Sequence, residues 1–349
     1  MAYTTIDDPT TNFTAFLRNS IYGGSDTSYD IGFQPDWIWD KVRSTSGVHA
    51  IFDSVRGVGS SGKILYMEKD DAEGTNALIK SIDSSGFTVT ASSDHSSQTI
   101  VDWCWKAGTS FSNDASATGI GTIDSSGSVN DTAGFSIVIR TGTASAGTIK
   151  HGLSTTPKMI ITKMRSNAES WGVYNVHIGN TKYLKLDVTD APDTSSVVWN
   201  NTTPTNSVFS VGSSALTNGS SKTYVDYIFS DVKGYSKFGK YTGNGNADGP
   251  FAYTGFRPAW IMIKNVSQSQ NWYIYDNKRS PSNVADDHIY ADLPNAEVTN
   301  ASFVIDILSS GFKIRNSNDG WNGGGEDYIY MAFAESPFVN SNGVPNNAR

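Results

Sequence analysis

The sequence predicts an all-β protein made of three tandem antiparallel β-sandwich or jelly-roll modules. Two observations predict it. One apolar strand motif recurs three times in a single register, and the composition is rich in strand and turn formers while lacking helix-forming runs.

The motif reads glycine, hydrophobic residue, proline, apolar strand, lysine. It appears as Gly32-Phe33-Gln34-Pro35-Asp36-Trp37-Ile38-Trp39-Asp40-Lys41, then around Pro157 with Met159-Ile160-Ile161-Thr162-Lys163, then around Pro258 with Ala259-Trp260-Ile261-Met262-Ile263-Lys264. The lysine falls six places after the proline each time, and an aromatic falls seventeen places after it: Phe52, Tyr174 and Tyr275. Fourteen places after the proline stand His49, Trp171 and Trp272. Each module has a later strand start (Gly86-Phe87, Val208-Phe209, Gly311-Phe312) and a closing aromatic strand, Val101 to Trp105, Val225 to Phe229 and Ile329 to Phe333. Short strands separated by Gly, Asn, Asp and Ser clusters indicate antiparallel sheets with turns between them. Propeller blades need only about 45 residues, and these units are about twice that.

The boundaries follow from the register. Module one covers residues 1–108, module two 134–234 and module three 235–349; residues 109–133, rich in Ser, Gly and Thr, read as a linker. Only a short stretch separates modules two and three, so these two are expected to pack more rigidly with each other than with module one. Trp37, Met159 and Trp260, or their strand neighbours, should face the core of their own module. On this reading modules two and three should remain folded without the first.

A formal charge of −8 with scattered Lys and Arg argues against nucleic acid and anionic membrane as main partners. Cys104 alternates with Trp103 and Trp105 in a strand and reads as a small core residue. The first residues form no signal peptide, and no segment has the length of apolar residues that crosses a membrane, so synthesis in a cytoplasm without membrane insertion is expected.

Two strings resemble catalytic signatures. Glu68-Lys69-Asp70-Asp71-Ala72-Glu73 has the E-x-D-x-x-E spelling of laminarinase-type glucanases, but its in-between positions are too polar for the floor of a cleft. It reads as a solvated acidic turn. Gly57-Val58-Gly59-Ser60-Ser61-Gly62-Lys63 approaches a P-loop, yet a strand follows in place of a helix. The Asp-rich segments around Asp190 and Asp286 read as turns, although their oxygens could hold calcium. No enzyme, cofactor or metal is expected.

The candidate ligand-binding residues are aromatic and charged: Trp171, Trp272, Tyr273, Asp276 and Arg279, with Asp53 and Arg56 at the same Asp-x-x-Arg spacing in module one. Aromatic faces beside hydrogen-bonding groups suit a sugar ring. Trp272 and Tyr273 are successive in a strand, so one should point outward unless another sheet, module or subunit covers it. The Asp-x-x-Arg pair is equally a buried structural ion pair.

With Gly32 to Lys41, Phe52-Asp53-Ser54-Val55-Arg56-Gly57, Val232-Lys233-Gly234-Tyr235-Ser236-Lys237-Phe238-Gly239, Tyr241-Thr242-Gly243-Asn244-Gly245 and Tyr328-Ile329-Tyr330-Met331-Ala332-Phe333-Ala334-Glu335 in view, the chain resembles a group of bacteriophage structural proteins. These are known mostly from marine phage genomes and carry repeated modules similar to concanavalin-A-like lectin and glucanase domains. The resemblance implies a lectin-like fold and a place in the virion, beside other virion proteins and as a homo-oligomer. A tail fibre or appendage binding host-surface glycan is the first expectation; capsid decoration or tail assembly without a glycan is the second, and a polysaccharide depolymerase the third.

Overall fold

A computed structural model describes residues 3–347. The chain is all-β, and its strands pair antiparallel in several sheets.

The first repeat contributes β1 (Phe13–Asn19), β2 (Thr27–Asp30), β3 (Trp37–Val42), β4 (His49–Asp53), β5 (Lys63–Tyr66), β6 (Gly74–Thr75), β7 (Ile79–Ile82), β8 (Gly86–Val89) and β9 (Thr99–Trp105). They form a six-stranded sheet, β1-β9-β3-β4-β5-β6, and a small sheet, β2-β8-β7. The next region holds β10 (Thr109–Asn113), β11 (Ser125–Asn130), β12 (Phe135–Thr141), β13 (Gly147–Lys150), β14 (Met159–Met164), β15 (Gly172–Asn175), β16 (Lys182–Lys185), β17 (Asp193–Thr194), β18 (Val208–Val211) and β19 (Thr223–Phe229). Its large sheet runs β10-β11-β12-β19-β14-β15-β16-β17, and β13 pairs with β18. The last repeat has β20 (Ser236–Thr242), β21 (Phe251–Tyr253), β22 (Phe256–Asn265), β23 (Trp272–Asp276), β24 (Asp287–Tyr290), β25 (Val298–Thr299), β26 (Ile305–Leu308), β27 (Gly311–Ile314) and β28 (Asp327–Pro337). These make β20-β28-β22-β23-β24-β25 and β21-β27-β26. One six-strand order therefore recurs in all three large sheets.

The central strands of each large sheet are buried on both faces. One face packs on its own small sheet through Ile38, Phe52, Phe87 and Cys104 in the first repeat, Ile160, Tyr174, Phe209 and Ile228 in the second, and Ile261, Tyr275, Phe312 and Ala332 in the third. The opposite faces meet in one common core that includes Trp37, Trp39, Trp103, Trp105, Phe135, Met159, Tyr227, Phe229, Trp260, Trp272 and Phe333. Rings from different repeats touch there: Trp37 stacks on Tyr227 at 4.6 Å, Phe13 on Phe333 at 5.3 Å, and Trp105 meets Trp260 edge-on at 5.6 Å.

Two expectations change accordingly, and a third is met by the strand neighbours it allowed for. Trp37, Met159 and Trp260 face the shared core, while their neighbours Ile38, Ile160 and Ile261 fill the sandwich interiors. The first repeat is as deeply committed to that core as the others, so a looser first module does not describe the packing. Residues 109–133 are not a free linker. They supply β10 and β11, which pair along β12 from Asn130↔Phe135 to Ser125↔Arg140 and extend the sheet. Here the turn-rich composition misleads, because Gly127 is needed for close approach: a Cβ would lie 1.9 Å from the carbonyl oxygen of Ile137.

Candidate functional site

The seven candidate residues are all buried, six of them along the seams between repeats and Tyr273 inside the third sandwich. The seams are built first from the repeated lysine. Lys41 Nζ donates to Gly47 O at 2.7 Å in its own hairpin and to Pro294 O at 3.1 Å in the third repeat. Lys163 Nζ donates to Glu169 O and, at 2.9 Å, to Asp70 O of the first repeat. Lys264 Nζ donates to Gln270 O and, at 2.7 Å, to Thr189 O of the second. One ammonium thus ties two repeats at each of three seams. Burial lowers all three lysines to about 8, against an ordinary 10.5.

The residue fourteen places after each proline makes a second cross-seam contact. Trp171 Nε1 donates to Tyr66 O at 2.8 Å, Trp272 Nε1 donates to Lys185 O at 3.0 Å, and His49 Nε2 lies 3.1 Å from Leu293 O. The backbone N–H of these same residues donates to Asp187, Asp292 and Glu68, each at 3.0 Å. Burial raises all three carboxyl groups, Asp292 to about 6. Glu68, first letter of the glucanase-like string, is thus the first repeat's version of a carboxylate that holds a strand end.

Asp53 and Asp276 form the third contact. Arg56 Nε donates to Asp53 and Arg279 Nε to Asp276, both at 2.5 Å. Across the seam Tyr227 O–H donates to Asp53 at 2.7 Å, and Trp103 Nε1 donates to Asp276 at 2.9 Å. Arg56 and Arg279 also reach Glu73 and Glu297, which clasp Arg165 and Arg43 of the neighbouring repeat through two hydrogen bonds each. Burial opposes the charge on Glu297, but hydrogen bonds from Arg43 and its charge with that of Arg279 outweigh this and lower it overall. Glu73, last letter of the glucanase-like string, is occupied by two arginines.

The remaining seam shows how these groups depend on one another. At the positions of Tyr227 and Trp103 the third repeat has Met331, which has no hydrogen to donate. The facing positions are then Asn175 and Ile178, where the other repeats have Asp and Arg, and Val266 stands where they have Arg165 and Arg43. Ile178 and Val266 pack against the common core. Donor, carboxylate and arginine disappear together, as they must when a buried charge has no partner.

Sequence reasoning placed Trp272 and Tyr273 on opposite faces, and they are: Trp272 enters the common core and Tyr273 the third sandwich interior. Neither points outward, because a neighbouring repeat covers Trp272, while Trp321 and Phe303 of its own repeat cover Tyr273; their exposures are 1% and 3%. Trp171, Asp53, Arg56, Asp276 and Arg279 are likewise buried, so the proposed ligand contacts are contacts between repeats. The lysines were visible as a repeat but not as a seam; the signal was a charged residue fixed within an apolar run. Among the described residues no group of three or more His, Cys, Asp or Glu side chains is placed to hold a metal ion.

The family comparison agrees with the common core. A family model described as a domain of unknown function, DUF7483, matches residues 12–337. The chain belongs to this family. A single model spans all three repeats. No curated protein matches the chain.

Proposed function

We propose that the protein is a non-catalytic structural component of a phage virion, acting in tail assembly or capsid decoration. The observation that carries this reading is the use of the repeated polar residues. Lys41, Lys163 and Lys264 each tie two repeats, and Asp53, Arg56, Asp276 and Arg279 hold two of those three seams, so the recurring chemistry of the repeat builds a rigid body. Glu68 and Glu73, the carboxylates nearest to a hydrolase pattern, serve a backbone amide and two arginines. The phage resemblance of Gly32 to Lys41 and Tyr328 to Glu335 supplies the virion setting. Adhesion to a host glycan would need surface residues outside the set read from the sequence.

Gold-labelled antibodies against the chain, applied to intact and disrupted particles, test this reading. Regularly placed label on every particle is the expected result. A protein missing from purified particles, or one that depolymerises host polysaccharide, would remove the proposal.

A further inference from the structure

The three repeats differ most informatively at the outer edge of the small sheet. The equivalent edge strands are β2, β13 and β21, which pair through Tyr29↔Phe87, Ile149↔Phe209 and Ala252↔Phe312. In the second repeat that edge is covered: Thr122 and Ile123 donate backbone N–H groups to Thr148 O, and Ile123 bridges Ile149 in parallel. Ile123 also enters the sandwich core. In the first repeat the edge carries the exposed carboxylate of Asp30, a charge of the kind that guards a free strand. Among the described residues the third repeat has neither device, its edge being met only by Tyr330 Oη, which donates to Tyr253 O at 3.0 Å. The strand reads Phe251-Ala252-Tyr253, uncharged, with Phe251 45% and Tyr253 57% exposed.

The exposed aromatics are local to this repeat. The positions of Phe251 and Tyr253 are Ser28 and Asp30 in the first repeat and Thr148 and Lys150 in the second. Tyr3 and Phe338 extend the patch: Tyr3 Oη lies 3.2 Å from Tyr253 Oη, and the rings of Tyr3 and Phe338 meet edge-on at 6.4 Å. An aromatic patch on an uncharged strand edge, where the Tyr253 carbonyl keeps a second lone pair beside the Tyr330 hydrogen bond, is a template for strand addition.

We propose that this edge pairs with the same edge of a second copy of the chain. The sequence of β21 favours a copy because it is self-complementary under a two-fold axis. In an antiparallel pair centred on Ala252, Phe251 stands opposite Tyr253 of the second copy, and the converse pair forms on the other side of the axis. Two aromatic cross-strand pairs result, a kind that stabilises a sheet surface. The two small sheets then join into one six-stranded sheet across the axis. The same operation at β2 would bring in the Asp30 carboxylates, and at β13 it is blocked by the chain's own Thr122 and Ile123. The inference does not depend on the virion reading.

Sedimentation velocity of the full chain over a micromolar concentration series tests it. A monomer–dimer equilibrium is expected, and Phe251→Lys with Tyr253→Lys should shift it to monomer at least tenfold in concentration while the circular dichroism stays native. Amide exchange in the unaltered chain is the second measurement, free of any folding defect in the variant: protection at Phe251 and Tyr253 should rise with concentration. A chain that stays monomeric with concentration-independent exchange overturns the proposal, as does a folded double variant that dimerises as before.

Discussion

Lys264 concentrates the physics of the seam in one side chain. Its ammonium sits between Thr189 O and Gln270 O with Asp292 nearby, so Lys264→Met leaves two buried carbonyl groups and a carboxylate short of a partner. Charged hydrogen bonds contribute about 1.5–3 kcal/mol each, and a loss of about 3 kcal/mol is expected in urea unfolding at pH 7. The pH dependence has a definite sign. With the folded value near 8 and the unfolded value at 10.5, the unfolded chain holds more protons between those limits. Stability from this group therefore rises with pH in that window, and the gap between the unaltered chain and Lys264→Met should widen by up to about 1.4 kcal/mol per pH unit above pH 8. A gap that is flat from pH 7 to pH 9.5 would show that the lysine is solvated. Tyr227→Phe isolates a neutral donor at another seam; it should cost about 1.5 kcal/mol by leaving Asp53 one hydrogen bond short, measured by the same urea series. At this scale the sequence showed which residues repeat but not what they face. Asp53-x-x-Arg56 has one spelling whether it meets a sugar or Tyr227, and only the partner across the seam distinguishes the two.

Among the elements, β10 and β11 are the instructive case. Ser125-Ser126-Gly127-Ser128-Val129-Asn130 lacks the apolar alternation of a strand, since Gly127 admits the backbone of β12 and the small serines line the outer part of the sheet. Strand propensity is weakest where packing against a neighbour decides the conformation. Gly127→Ala places a methyl group against Ile137 O, and a destabilisation of about 3 kcal/mol is expected from thermal unfolding; a melting temperature within a degree of the original would mean that β11 does not pair as described. The P-loop-like string behaves as its composition suggested: Gly57 to Gly62 links β4 to β5, and Lys63 opens a strand. The aromatics seventeen places after each proline, Phe52, Tyr174 and Tyr275, pack inside the three sandwiches, as expected of positions that every repeat keeps.

At the scale of the whole molecule, the all-β class and the antiparallel pairing were legible because strand and turn chemistry is local. The shared core was legible only in part. Trp37-Ile38-Trp39, Met159-Ile160-Ile161 and Trp260-Ile261-Met262-Ile263 are continuous apolar runs, the pattern of strands covered on both faces, whereas a free-standing sandwich alternates. What covers the second face is a non-local fact, held in pairs such as Trp37 with Tyr227 and Trp105 with Trp260. A chain starting at residue 134 would expose Tyr227, Phe229, Trp260 and Phe333 to water, so it should bind a hydrophobic dye and lack a cooperative melt, in place of the folded pair that modular packing implies. The claim that the repeats are one body is tested most directly by calorimetry of the full chain. A common core predicts one transition whose calorimetric and van't Hoff enthalpies agree, near about 240 kcal/mol for a chain of this length. Two or three resolved transitions, each with the enthalpy of about one hundred residues, would contradict it.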